Sequence, residues 1–342
     1  VIDPCPACGE PIGPDDGFCE ACGAELAPAA VSSGAAGGAP QCPACAADGR
    51  GPAEVGPEGY CESCGRKVPS GRDHEELNVG LAAGVTDRGL RHARNEDAMA
   101  LAATRVAGEP VALAVVCDGV SSAPRPDEAS LAAVRAAARL LLAAVRAGDD
   151  PAAASAAAAR AAGTAVGDVV GDVVGPAGAP ATTYASAVVD GTSVTVCWLG
   201  DSRVYWLAAA GSGSHCLTKD DSLAEELVAD GLATVEEAMA SPQAHVITRW
   251  LGADLPEPEP HVTRFEPPGA GVVLLCSDGL WNYQPAATEL AALALPAALT
   301  DPPAAAAALA QFALDAGGAD NITTVVMPFP PAWPETSPRS ER

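Results

Sequence analysis

Basic side chains are scarce in this chain of 342 residues: 19 Lys and Arg stand against 44 Asp and Glu, for a net charge of -25. That surplus repels nucleic-acid phosphates and anionic membrane surfaces, so neither is an expected partner, and it suits a protein that gathers cations. Long apolar runs are missing as well: no stretch of about 18 uncharged apolar residues is available to cross a bilayer. The first residues also lack the basic and apolar regions of a signal peptide, so the expected location is the cytoplasm. Apolar residues still make up 49% of the chain, ample for one large core with small appendages.

The twelve cysteines are unevenly spread, with eight of them forming four Cys-x-x-Cys pairs in the first 64 residues. Cys5, Cys8, Cys19 and Cys22 form one set of four soft ligands, and Cys42, Cys45, Cys61 and Cys64 form a second. Each Cys-x-x-Cys turn aims two sulfurs at one ion, and a glycine after the second cysteine lets the backbone curl toward the thiolates. Gly9, Gly23 and Gly65 fill that role; Ala46 after Cys45 makes one turn less regular. Segments this short draw their folding free energy from the metal, here two structural Zn²⁺. Residues 5 to 65 resemble the double zinc ribbons found at the ends of many bacterial proteins. Residues 1–78 hold four Lys/Arg against thirteen Asp/Glu, so nucleic-acid binding is disfavoured and protein docking or a purely structural role is expected. The divisions expected are ribbon 1 (1–26), a flexible linker rich in Ala, Pro, Gly and Ser (27–41), ribbon 2 (42–66), a connector (67–78), a catalytic domain (79–328) and a disordered tail (329–342). The isolated Cys117, Cys197, Cys216 and Cys276 read as small buried hydrophobes.

From Val79 the pattern changes to short β-like runs and Ala-rich helices. Strands are expected at 81–86, 99–104, 111–117, 185–189, 193–199, 204–207, 272–277 and 322–327, and helices at 127–146 and 151–165, giving one mixed α and β domain. Acids cluster where apolar runs begin or stop. Asp118 and Asp278 each close a run and precede a glycine, Glu96 and Asp97 open a strand, and Asp320 precedes the last one. A single surface acid is ordinarily just solvated. Four acidic clusters abutting buried strands call for cations to offset their repulsion, and hard oxygen ligands suit Mg²⁺ or Mn²⁺.

Six motifs then carry a specific resemblance. Thr86-Asp87-Arg88-Gly89 leading to Asn95-Glu96-Asp97-Ala98, Asp118-Gly119, Gly200-Asp201-Ser202-Arg203, Ile247-Thr248-Arg249-Trp250-Leu251-Gly252, Ser277-Asp278-Gly279 and Asp320-Asn321-Ile322-Thr323 resemble, in order, those of the metal-dependent protein phosphatase (PPM, type 2C) family. The resemblance implies an α+β fold: a four-layer α/β/β/α sandwich of two antiparallel sheets flanked by helices. It implies that Asp118 bridges two metals, with the Gly119 carbonyl contributing, and that Asp278 and Asp320 complete the first metal. Glu96 would serve the second metal directly or through water, and Asp97 would hold metal-bound waters. Asp201 would join Asp278 at a weaker third metal, with Asp220 a softer candidate, and Asn321 would orient its neighbours. The implied chemistry is hydrolysis of phosphoserine and phosphothreonine in proteins by an activated water. The implied partners are phosphoproteins, a Ser/Thr kinase or its targets among them.

Departures from the family pattern matter too. His92 stands where relatives carry a phosphate-binding arginine, so Arg91, His92 and Arg94 are all candidates for that contact. Ser121-Ser122 replace two glycines, Val120 replaces a histidine that serves some members as proton donor, and Asp221 stands where relatives often have histidine. Two alternatives stay open beside an active enzyme: a catalytically silent phosphoprotein-binding module, and a scaffold whose zinc ribbons carry the biology.

Overall fold

A computed structural model describes residues 3–4, 11–12, 29–31, 42, 45, 56, 60–66, 68, 71–169, 178–211, 213–241, 243–252 and 259–333. In chain order the elements are β1 (Asp3–Pro4), β2 (Pro11–Ile12), β3 (Ala29–Val31), β4 (His74–Asn78), β5 (Ala83–Asp87), β6 (Asp97–Val106), β7 (Glu109–Asp118), α1 (Pro126–Ala147), α2 (Pro151–Asp168), β8 (Ala181–Thr182), β9 (Tyr184–Val189), β10 (Val194–Leu199), β11 (Arg203–Ala208), β12 (His215–Cys216), α3 (Leu223–Ala229), α4 (Val235–Met239), β13 (Leu251–Gly252), β14 (His261–Phe265), β15 (Gly271–Cys276), α5 (Asp278–Trp281), α6 (Ala287–Ala298), α7 (Pro302–Asp315) and β16 (Ile322–Phe329).

Two six-stranded sheets carry the fold, ordered β14-β10-β9-β7-β6-β3 and β12-β11-β15-β16-β5-β4. Alternation along a strand sends neighbouring side chains to opposite faces, and β6 shows how this builds the layers. Met99, Leu101 and Ala103 face inward to meet Val273, Leu275, Val325 and Met327 of the second sheet. Ala98, Ala100 and Ala102 face outward onto Ala129, Ala133 and Leu141 of α1. The far side of the second sheet is covered the same way, by Leu290, Ala294, Leu309 and Ala313 of α6 and α7. Strands buried on both faces read as continuous apolar runs, which is why they are prominent in the sequence. The α/β/β/α order is the one the family resemblance implies. Helix ends follow local rules: Asp150 and Asp301 cap α2 and α7 by accepting from Ala153 N and Ala304 N, each with proline in the first turn, and Gly148 ends α1 in the left-handed region. Among the described residues no helix is long and apolar enough to cross a membrane.

Three boundaries differ from the sequence expectation. Within 27–41, expected to be a flexible linker, β3 pairs with Ala100–Ala102 at the edge of the first sheet, because an open strand edge accepts any extended segment in reach whatever its composition. Within the connector 67–78, β4 pairs along β5 from His74 to Asn78; its charged residues suit an edge strand, so the domain starts before Val79. At the other end β16 runs to Phe329, and Arg105 lies 5.7 Å above the ring of Trp333, so the first five residues of the expected tail belong to the domain. Cys216 also departs from expectation. It is exposed on the two-residue edge strand β12, whereas Cys117, Cys197 and Cys276 are buried. Cys5, Cys8, Cys19 and Cys22 lie outside the described residues. Cys42, Cys45, Cys61 and Cys64 come together with their ligand atoms within 4.8 Å of one another, a set able to hold a metal ion.

Candidate metal centre

Strand ends bring the acids into one cleft. Asp97 at the start of β6 and Asp118 at the end of β7 are register partners, and the ends of β15 and the start of β16 deliver Asp278 and Asp320 to the same place. Close backbone approach makes this possible. A Cβ on Gly119 would lie 2.7 Å from Glu96 O, and one on Gly279 would lie 1.9 Å from Asn321 O; only glycine lets these turns pack so tightly. Asp118, Gly119, Ser121, Asp201, Asp278 and Asp320 all line a cleft of about 550 Å³.

Protein groups fix the acids before any ligand arrives. Asp97 Oδ2 accepts from Ser277 Oγ at 2.8 Å and from Thr323 Oγ1 at 2.7 Å. Asp118 N donates to Thr183 Oγ1 at 3.0 Å, and Thr183 Oγ1 in turn meets Ser202 Oγ at 2.7 Å, tying the floor to the turn that presents Asp201. Asn321 staples three segments: its Oδ1 accepts from Glu96 N, and its Nδ2 donates to Arg88 O and Arg94 O. Trp281 Nε1 donates to Asp201 O at 2.9 Å.

The electrostatics show a centre short of positive charge. Desolvation, followed by the charges of Asp97, Asp278, Asp201 and Asp320, pushes the Asp118 carboxyl well above the usual range. Desolvation with Asp201, Asp320 and Asp97 does the same to Asp278. Burial is the main reason Asp97 rises to about 6, against the two hydroxyl bonds that lower it. Burial and then Asp220 lift Asp201 to about 7. Asp97 Oδ1 and Asp278 Oδ1 are buried and accept no hydrogen bond from the described residues. Orphaned acceptors and crowded carboxylates fit hard divalent cations.

Other expected site residues fall differently. Glu96 stands beside the cleft, with Oε1 accepting from Arg94 Nε at 2.9 Å and Oε2 accepting from Ser121 Oγ. Asp220 is held by a two-pronged bond from Arg203, whose guanidinium lies 3.7 Å over the Trp281 ring; it is an ion-pair partner rather than an open ligand. Asp221 accepts from Gly200 N and lies 2.9 Å from His261 Nε2, which fixes the turn before Asp201. His92 Nε2 is 3.0 Å from Asp320 Oδ1, Arg94 also faces Asp127, and Arg91 is exposed. None of these three lines the cleft. Sequence reasoning missed Thr183, His245 and Arg72. His245 lines the cleft from the segment after α4, and Arg72 donates from the connector to Asp97 O at 2.9 Å. Nothing in the local pattern singles them out, because their roles rest on neighbours distant in the chain.

The protein phosphatase 2C family model matches residues 88–312, and the double zinc ribbon model matches residues 5–73. The serine/threonine protein phosphatase PstP of Mycobacterium tuberculosis is 33% identical over 256 residues, covering 71% of this chain and 44% of the relative. The serine/threonine phosphatase stp of Listeria innocua is 33% identical over 147 residues, 43% of this chain and 56% of the relative. The chain thus spans about half the length of the curated relatives it matches. Among solved structures, the serine/threonine phosphatase Stp1 from Staphylococcus aureus superposes with a TM-score of 0.60 at 25% identity, covering 74% of this chain and 97% of that one. The catalytic domain of PstP in complex with 2 manganese ions gives a TM-score of 0.51 at 30% identity, with 72% and 96% covered.

Proposed function

The chain belongs to the protein phosphatase 2C family, and from that premise we propose that it hydrolyses phosphoserine and phosphothreonine in proteins at a divalent-cation centre in the carboxylate cleft. The observation that carries this reading is the convergence of Asp97, Asp118, Asp201, Asp278 and Asp320: burial, and after it the neighbouring carboxylates, push Asp118 and Asp278 well above the usual range, while two buried carboxylate oxygens remain unpartnered.

Asp118, the Gly119 carbonyl, Asp278 and Asp320 would hold two Mg²⁺ or Mn²⁺ ions, and Asp201 with Asp278 a weaker third. When bound, such ions supply a nucleophile at neutral pH by acidifying water and offset charge on the phosphoryl oxygens. Asp97, locked by Ser277 and Thr323 through one oxygen, would use the other to hold water at the centre. Glu96, whose oxygens accept from Arg94 and Ser121, would serve the second ion directly or through water. His92 beside Asp320 and Arg94 beside Glu96, with the exposed Arg91 next to them in the chain, are the candidates for holding the substrate phosphate. Cys42, Cys45, Cys61 and Cys64 would hold one structural Zn²⁺ and Cys5, Cys8, Cys19 and Cys22 a second, in ribbons whose role is structural or the docking of protein partners. Eight zinc-ligating thiols and phosphoprotein substrates, a Ser/Thr kinase or its targets, suit the reducing cytoplasm.

A second reading, a catalytically weak phosphoprotein-binding module, is favoured by two contacts: Arg94 and Ser121 already occupy one Glu96 oxygen each. The test is hydrolysis of a phosphothreonine peptide by the full chain, stripped of divalent ions and then given Mn²⁺ stepwise. Turnover that appears with Mn²⁺ and vanishes in Asp278→Asn supports the enzyme. Turnover that survives complete removal of divalent ions contradicts it, and peptide binding without turnover favours the second reading.

A further inference from the structure

Arg72 belongs to the ribbon end of the chain. It lies inside the 5–73 match to the double zinc ribbon and outside the 88–312 match to the phosphatase. Its side chain nevertheless reaches the back of the carboxylate centre. Nη2 donates to Asp97 O and Nη1 to Asp127 O, each at 2.9 Å, and the Arg72 carbonyl accepts from Asn95 Nδ2 at 3.1 Å. The residue is only 7% exposed; one prong meets the buried Asp97 O, which would be costly to leave unpaired, and the other the partly buried Asp127 O. The neighbours extend the clamp. Asp73 O accepts from Arg88 N at 2.8 Å, and His74 Nδ1 lies 2.7 Å from Asp87 Oδ2. This short arm therefore braces the turn 87–97 that leads into Glu96 and Asp97. Four positions before Arg72, Val68 is buried against Cys42, Cys45 and Cys61.

We propose that Arg72 is a positioning residue for the carboxylate centre, supplied by the ribbon arm, and that metal loading of the Cys42, Cys45, Cys61 and Cys64 cluster sets how firmly it grips Asp97. This rests on the reading of the cleft as a divalent-cation centre. The physics is a relay of order. Thiolates that lose their ion lose the source of the ribbon's folding free energy. Val68 then loses its packing partners, and the residues up to Arg72 regain conformational freedom that the two guanidinium bonds must suppress. A loosened Arg72 leaves Asp97 O unpaired and the start of β6 free to shift.

The test uses the zinc-loaded full chain and reads Mn²⁺ affinity by calorimetry beside phosphopeptide turnover. Removing a residue that orients metal ligands costs about 10- to 100-fold in metal affinity, so Arg72→Gln is expected to weaken Mn²⁺ binding by that factor with its far-UV circular dichroism unchanged. Arg72→Lys keeps the charge but not the fork, and falls between the two. Cys61→Ser lowers the same affinity and adds nothing in the Arg72→Gln background, since the two act through one contact. Unchanged Mn²⁺ affinity in Arg72→Gln overturns the positioning role, and fully additive losses in the double variant overturn the relay. If Arg72→Gln does not fold, the folded Arg72→Lys decides: wild-type Mn²⁺ affinity there overturns the proposal. A wild-type chain that neither binds Mn²⁺ nor turns over phosphopeptide would instead sink the phosphatase reading itself.

Discussion

The chain contains two metal-binding arrangements built on opposite principles. In the thiolate cluster, ligands three positions apart in Cys42/Cys45 and Cys61/Cys64 meet through local turns, and among the described residues Val68 is the buried apolar side chain packed with them. In the carboxylate cleft, Asp97, Asp118, Asp201, Asp278 and Asp320 come from across more than two hundred residues and are delivered by two sheets whose interior is complete without any ion. On the proposed reading the first site draws its folding free energy from its metal, whereas the second stands on two packed sheets and carries the electrostatic cost of crowded carboxylates.

The contrast is broken most severely by attacking a cleft ligand. Second-layer partners of metal sites already cost about 10- to 100-fold, so Asp118→Asn is expected to reduce phosphopeptide turnover by more than about 100-fold while leaving zinc content and thermal unfolding of the sheets intact. Unfolding of the sheets in that variant would mean that the cleft, like the ribbon, is a folding site. Stripping zinc is the converse experiment. Structural zinc contributes roughly 10–16 kcal/mol to ribbon folding, so the amides near Cys61 should lose hydrogen-exchange protection while those of β6, β7, β15 and β16 keep theirs.

A subtler difference lies in pH. In the divalent-free protein Asp97 and Asp201 have folded-state pKa values raised from 3.8 to about 6 and about 7. The native state therefore binds more protons than the unfolded chain between pH 4 and 7, and stability falls as pH rises through that window. A shift of this kind is worth on the order of 1 kcal/mol per pH unit across the window. Thermal unfolding of the chelated protein should occur at lower temperature at pH 8 than at pH 5, and Mn²⁺ should restore most of the loss. A chelated protein more stable at pH 8 would show that the carboxylates are not crowded as described. The smallest effect expected is at the rim. His92→Arg restores a guanidinium beside Asp320 and should lower KM for a phosphothreonine peptide by on the order of fivefold with kcat little changed.

How much was legible in advance follows the same contrast. The gathering of Cys42, Cys45, Cys61 and Cys64 was readable from spacing alone, and so were the core strands, because burial on both faces leaves unbroken apolar runs such as Val115-Val116-Cys117. The acids at strand ends stood out as charges abutting those runs. What could not be read were elements held by backbone rather than side-chain pattern: β3, whose Ala29-Ala30-Val31 resembles linker composition, and β4, whose His74-Glu75-Glu76 looks like solvated chain. Arg72 was invisible for the same reason, since its partners are carbonyls 25 and 55 residues away. The pairing of Asp220 with Arg203 is likewise absent from the local pattern, because only the fold sets Arg203 beside it.

Ion counting by calorimetry tests the central claim most directly. The full chain, zinc-loaded in its ribbons and freed of other divalent ions, should take up two Mn²⁺ per chain, and Asp278→Asn should lose that uptake while keeping its zinc. A folded wild-type chain that binds no Mn²⁺, or a variant that binds it as well as wild type, would show that these aspartates do not form a cation centre.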